Sequence, residues 1–197
     1  MRTFHVFKGL LTHYSTYFKT ALQDRWTEGE TSIVKLPDDD SDVFSAVFHW
    51  LFTQKLYFEL APDGSIPLSD RLICGVYVFG DARGMPDLCN AAIDLLFQKY
   101  VQIYMYPKSC LNYVWEHTME GSVLRKFLTD FAAENYSWTT STRLIHEYPV
   151  EFLLDIIVTS REQAGVPGSI CQGKTQWTTK KKAELCAKYH DHTLSSA

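Results

Sequence analysis

Apolar positions along the chain repeat with two different spacings. Between Gly9 and Leu22 they fall at Leu10, Leu11, Tyr14, Tyr17, Phe18, Ala21 and Leu22. Steps of three and four put them on one face, so the spacing predicts a helix with a buried stripe. The same periodicity marks Val43, Phe44, Val47, Phe48, Leu51 and Phe52, then Leu72, Ile73, Val76, Tyr77 and Phe79, then Leu88, Ala91, Ala92, Leu95 and Leu96. End signals agree with the periods. Asp38 to Asp42 supplies caps and dipole-matching charge for the second helix, and Ser69 can cap the third. Gly84 predicts a left-handed stop, and Pro86 suits a first helical position. Further on, Leu111 to Met119, Val123 to Tyr136 and Val150 to Thr159 predict three more helices, the last two starting at Ser122 and Pro149.

Three short runs read differently. Thr3 to Phe7, Thr31 to Leu36 and Lys55 to Leu60 are β-branched or alternating and are bounded by Pro37 and by the Ala61 to Pro67 loop. They predict strands. The expected class is therefore α+β: a short β-sheet with a cluster of α-helices, followed by an all-α extension. From Ala164 glycines, Pro167 and three consecutive lysines replace the pattern and predict a loose basic tail. The expected organisation is one domain over 1–104, a helical extension over 105–163 and a flexible basic tail over 164–197.

Composition narrows the class. The chain has 197 residues, 46% of them hydrophobic, enough for a real core and too many for a disordered chain. Net charge is −4. Residues 166–197 hold five basic and two acidic groups, +3, leaving −4 − 3 = −7 for the rest. That balance argues against general nucleic-acid binding. Five widely spaced cysteines argue against a disulfide framework. No apolar run reaches the roughly 20 residues that span a bilayer, and Lys8 and His13 interrupt the N-terminal segment, so no signal peptide is expected. The expected location is intracellular, in cytoplasm or nucleus. The Asn135-Tyr136-Ser137 sequon would then carry no sugar. Aromatic residues reach 14%, and the surplus in the helical half (Tyr100, Tyr104, Tyr106, Tyr113, Trp115, Phe127, Phe131, Tyr136, Trp138, Phe152) is the first candidate for a binding surface.

Candidate chemistry is sparse. Gly168-Ser169-Ile170-Cys171-Gln172-Gly173-Lys174-Thr175 fits the phosphate-cradling pattern G-x-x-x-x-G-K-[ST], the one feature that speaks for an enzyme. No strand leads into it, and too little chain follows to build the parallel sheet around it. Cys186, His190 and His192, with Cys171, form a set that zinc could use, though no C-x-x-C pair is present. Asp38 to Asp42 lacks the glycine that a calcium loop needs at its sixth position. His5, His13, His49, His117 and His146 are scattered, and no G-x-S-x-G elbow occurs. Lys180 to Lys182 reads as a solvated patch or a weak import signal. No catalytic, cofactor-binding or metal residues are assigned.

Several segments resemble a known family when taken together. Phe4-His5-Val6-Phe7-Lys8-Gly9-Leu10-Leu11 resembles the F-x-V-H-K-x-x-L start of a BTB/POZ domain, and Ser15 to Leu22 the S-x-Y-F-x-x-A-L that follows. Leu36-Pro37-Asp38-Asp39-Asp40 with Phe44, then Trp50-Leu51-Phe52-Thr53, are similar to L-P-E-D-D-x-x-x-F and W-L-Y-T. Val78 to Leu88, continued by Asn90-Ala91-Ala92-Ile93, resembles the helix hairpin V-F-A-D-K-Y-G-I-P-D-L. The combination is similar to fungal BTB-domain proteins. It lacks their opening V-x-V-x-V-G strand, which suggests a domain shortened at its N-terminus, and Phe7 stands at the family's histidine position.

The resemblance implies a non-enzymatic protein–protein interaction module. Its partners would be other proteins, through a BTB homodimer or heterodimer or as a scaffold, without membrane or cofactor. The alternative it implies is a substrate adaptor of a cullin-type ubiquitin ligase, with a cullin as partner. A nucleotide-binding protein built on the Gly168 to Thr175 loop is the remote third reading.

Overall fold

The computed structural model describes residues 2–135, 148–162 and 174–191. Its elements are helices: α1 (Lys8–Tyr14), α2 (Thr16–Ala21), α3 (Thr27–Thr31), α4 (Ser41–Thr53), α5 (Asp70–Ala82), α6 (Pro86–Ile103), α7 (Leu111–His117), α8 (Val123–Asn135), α9 (Val150–Glu162) and α10 (Lys174–Tyr189). A 3-10 turn at Lys108–Cys110 leads into α7. The chain divides into two compact units, Met1–Leu95 with Asp191–Ala197, and Leu96–His190.

The expected α+β class is wrong, because no strand occurs among the described residues. Each run predicted as a strand lacks a neighbouring strand. No backbone hydrogen bond involves Thr3, Phe4, His5 or Val6 among the described residues. Thr31 ends α3, and Ser32 turns left-handed at φ 54°, which takes Ile33 to 60% exposure. Gln54 is left-handed at φ 58° and redirects the chain before Lys55. A strand is a property of a pair, and β-branched composition without a ladder partner leaves an irregular segment.

Two further expectations fail. The stretch from Gly9 to Leu22 is not one helix. Ser15 adopts φ −132° and ψ 121°, ending α1 and serving as the N-cap of α2, where its Oγ accepts from the Phe18 N–H at 3.1 Å. The loose basic tail is also corrected, since Lys174–Tyr189 is helical. Lys181, Leu185 and Tyr189, four residues apart, are all buried, so one face of this lysine-rich helix packs.

In the first unit α4 packs on α5 around Val47, Trp50, Ile73 and Val76. The end signals act as the sequence indicates. Asp40 accepts from the Asp42 N–H, and Ser69 from the Leu72 N–H. Gly84, at φ 57°, closes α5 with two reversed bonds, Met85 N–H to the Gly80 carbonyl at 2.9 Å and Gly84 N–H to the Asp81 carbonyl at 3.3 Å. The start of α2 then covers this end. Ser15 Oγ donates to the Arg83 carbonyl at 2.7 Å, Tyr17 N–H to the same carbonyl and Thr16 N–H to that of Gly84, both at 3.3 Å. Unsatisfied donors of one helix meet unsatisfied acceptors of another.

In the second unit α8 packs on α9 and α10. Phe131 meets Phe97 and Tyr100 edge-on, with centroids 5.9 and 5.5 Å apart, and Trp115 meets Phe152 at 5.1 Å. Arg125 closes the end of α7, donating to the Trp115 carbonyl at 2.6 Å and to Thr118 Oγ1 at 2.9 Å.

Candidate functional site

An exposed row of aromatic contacts in the first unit is built on α4. Its Val43, Val47, Trp50 and Leu51 face inward, whereas Phe44, Phe48 and Phe52, four residues apart, line the other side. Residues 2–7 run along that side. Arg2 Nη1 pairs with Asp42 Oδ1 at 2.8 Å. Phe4 meets Phe44 at 4.8 Å and Phe48 at 5.5 Å, and Phe7 meets Phe52 at 6.2 Å. The contacts advance in step, so the segment runs parallel to the helix. From Asp42 to Phe52 the helix rises about 15 Å. Five extended residues cover about 16 Å. The segment therefore lies nearly straight, as a strand would, with a helix face beneath it and no strand beside it.

Burial falls along this row of rings. Phe44 and Phe48 are half-buried, Phe52 is 46% exposed and Phe7 76% exposed. Exposed aromatic carbon beside backbone donors and acceptors that have no backbone partner among the described residues is a surface suited to another chain.

The acidic run is engaged in the fold. Asp40 caps α4 and Asp42 holds Arg2, while Asp39 Oδ2 takes Arg83 Nη2 at 2.5 Å. The Arg83 guanidinium also lies over the Phe79 ring, 4.0 Å from its centroid. His49 is buried, with Nε2 3.1 Å from the Tyr57 carbonyl and the Phe58 ring against its face, a structural role. Of the residues expected in the core, Phe18 and Trp50 are buried, Leu10 and Leu11 are half-buried, and Tyr17 is 44% exposed.

Other predicted sites separate. The glycines and Cys171 of the Gly168 to Thr175 loop lie outside the described residues, as do His146, His192 and Tyr136-Ser137 of the sequon. Cys186 is exposed on α10. Among the described residues no three His, Cys, Asp or Glu side chains gather as a metal would require. No helix of the described residues is long and apolar enough to cross a membrane.

The aromatic surplus of the helical half is mostly core. Tyr100, Trp115, Phe127, Phe131 and Phe152 are buried, while Tyr136 and Trp138 lie outside the described residues. A polar network escaped the sequence reading. Tyr189 Oη donates to Asp130 Oδ2 at 2.6 Å, Lys126 Nζ reaches the same oxygen at 3.1 Å, and buried Lys181 pairs with Glu134. Burial and the Asp130 hydrogen bond push the Tyr189 phenol far up, so it stays a donor at any physiological pH. The signal was there: Lys181, Leu185 and Tyr189 share one helical face, which the lysine triplet hid.

The family model of the BTB/POZ domain matches residues 1–73. A BTB/POZ domain is thus found over the part of the chain that carries the α4 surface, and its match ends inside α5, at Ile73. Domains of this family bind other proteins, often as dimers, and are generally non-enzymatic. No curated protein and no solved structure matches the chain.

Proposed function

We propose that the chain is a non-enzymatic interaction module that self-associates, or pairs with a related domain, through the outer face of α4 and the segment laid along it. The observation that carries this reading is the exposed Phe7 and Phe52 pair beside the backbone of Thr3 to Val6, which makes no backbone hydrogen bond among the described residues, all inside the matched residues. Two contributions add up. Burying the Phe7 ring contributes about 1.5–3 kcal/mol. An incoming strand would bond the free amides and carbonyls at a net of about 1 kcal/mol each. Scaffolding follows if the partner is a different chain with the same face.

Light scattering on the purified full chain tests the reading. A dimer at micromolar concentration that Phe7→Asp converts to monomer, with unchanged circular dichroism, is the expected result. A wild-type monomer at 100-fold higher concentration removes self-association. Affinity purification that recovers a cullin in place of a BTB-domain protein moves the reading to a ligase adaptor.

A further inference from the structure

We propose that the outer face of α9 is a docking surface for a basic amphipathic helix of a partner protein. The inner face of α9 is spent on the second unit's core, with Phe152 fully buried and Ile156 8% exposed. The outer face carries Val150, Leu154, Ile157 and Val158, at 68%, 57%, 52% and 54% exposure. Four apolar side chains more than half exposed on a single helix are far from the scattered exposure that any surface shows. Val150, Leu154 and Ile157 are spaced four and then three, the step with which a helix presents a seam to a facing helix. The seam covers about 10 Å and ends one turn on, where the register reaches Arg161.

Charge selects the occupant. Glu151 and Asp155, exposed and four residues apart, border the stripe on one side. Glu120 lies within electrostatic reach of Asp155 and acts on it in the same sense as Glu151, and the Arg125 guanidinium opposes them. Arg125 is already held by Thr118 and the Trp115 carbonyl. No lysine or arginine falls between Tyr148 and Thr159. A second α9 would bring carboxylates to carboxylates, whereas lysines flanking an apolar stripe would relieve the repulsion. The surface belongs to the second unit and does not depend on the BTB/POZ reading of the first.

The test uses the full chain and two synthetic peptides of about 20 residues, long enough to hold helix once docked. One is a Leu/Lys amphipathic sequence, the other its Leu/Glu counterpart, both followed by fluorescence anisotropy. The Leu/Lys peptide should bind at least about tenfold more tightly, and more weakly as salt rises. Leu154→Asp should cost about tenfold or more, and Glu151→Lys with Asp155→Lys should reverse the peptide preference. All three positions are exposed, so the melting temperature should hold. Val158→Asp repeats the measurement if Leu154→Asp lowers it. Equal binding of the two peptides, no binding, or variants that bind like wild type would each overturn the proposal. So would a wild-type dimer that Leu154→Asp disperses, which would assign the face to a second copy.

Discussion

Replacing Gly84 by alanine separates two costs that the structure superimposes at one atom. The backbone there is left-handed at φ 57°, a region that costs an L-residue about 1–2 kcal/mol. An added Cβ would also overlap the Thr16 hydroxyl at the start of α2. Relieving that overlap by a forced rotamer or a small shift costs roughly another 1–2 kcal/mol. Gly84→Ala should therefore destabilise the first unit by about 2–4 kcal/mol. Gly64 is the built-in control, because it is left-handed at φ 80° with nothing within 4 Å of an added Cβ. Gly64→Ala should cost only the backbone part, about 1 kcal/mol. Thr16→Ala removes the overlapping oxygen and leaves the Thr16 Cβ 3.3 Å away, so in that background Gly84→Ala should cost about 1–2 kcal/mol less. Urea denaturation of the four variants, followed by hydrogen exchange of the α2 and α5 amides, gives the numbers. Equal costs at Gly64 and Gly84, or no relief from Thr16→Ala, would refute the close approach of α2 to the end of α5.

The remaining predictions concern charge. Lys181→Ala leaves the Glu134 carboxylate without its buried cation and should destabilise the α8–α10 contact by about 2–4 kcal/mol, while Lys181→Met, which fills the space, costs less; exchange rates across α10 read both, and equal protection in wild type and Lys181→Ala removes the network's role. Asp81 is raised by burial, and it sits in a last helical turn that holds no basic residue. Its raised folded value means that protonation favours the fold, so this group's penalty is absent below the ordinary carboxylate range and grows as pH rises through the folded value. Asp81→Asn should raise the melting temperature slightly at pH 7, with the gain fading on acidification; a gain that instead grew in acid would contradict the sign.

How far the sequence reached can be read element by element. Ser69, Asp40, Gly84 and Pro86 act where their chemistry predicts, because caps and stops depend on one residue and its next few amides. The period of α4 put Val43, Phe44, Val47, Phe48, Leu51 and Phe52 on one apolar stripe, yet it could not say that Val47 and Trp50 would turn inward while the phenylalanine side stayed open. The failures share a cause. Thr3 to Phe7, Thr31 to Leu36 and Lys55 to Leu60 carry strand composition, but pairing depends on a partner far along the chain or on another molecule. α10 was missed because buried Lys181 pairs across the unit with Glu134, a residue 47 positions away that no local pattern connects to it. Ser15 interrupts an unbroken apolar period because its side chain serves Phe18 and Arg83 at once.

Those unpaired segments bear on stoichiometry. Thr3 to Phe7 offers one ring and a few backbone bonds, roughly 3–5 kcal/mol in favourable contacts. Association costs an estimated 4–15 kcal/mol in lost freedom. A strand added to one side by a monomeric partner therefore falls short. A two-fold arrangement presents the same patch twice, since each copy supplies both segment and α4 face. That doubles the contact to roughly 6–10 kcal/mol against a single association cost, so a two-fold pair clears the low end of that cost where one-sided addition does not. The face of α4 thus favours a closed pair over an open chain of strands, and Phe7→Asp, which strikes both halves at once, should abolish the pair outright rather than weaken it by half.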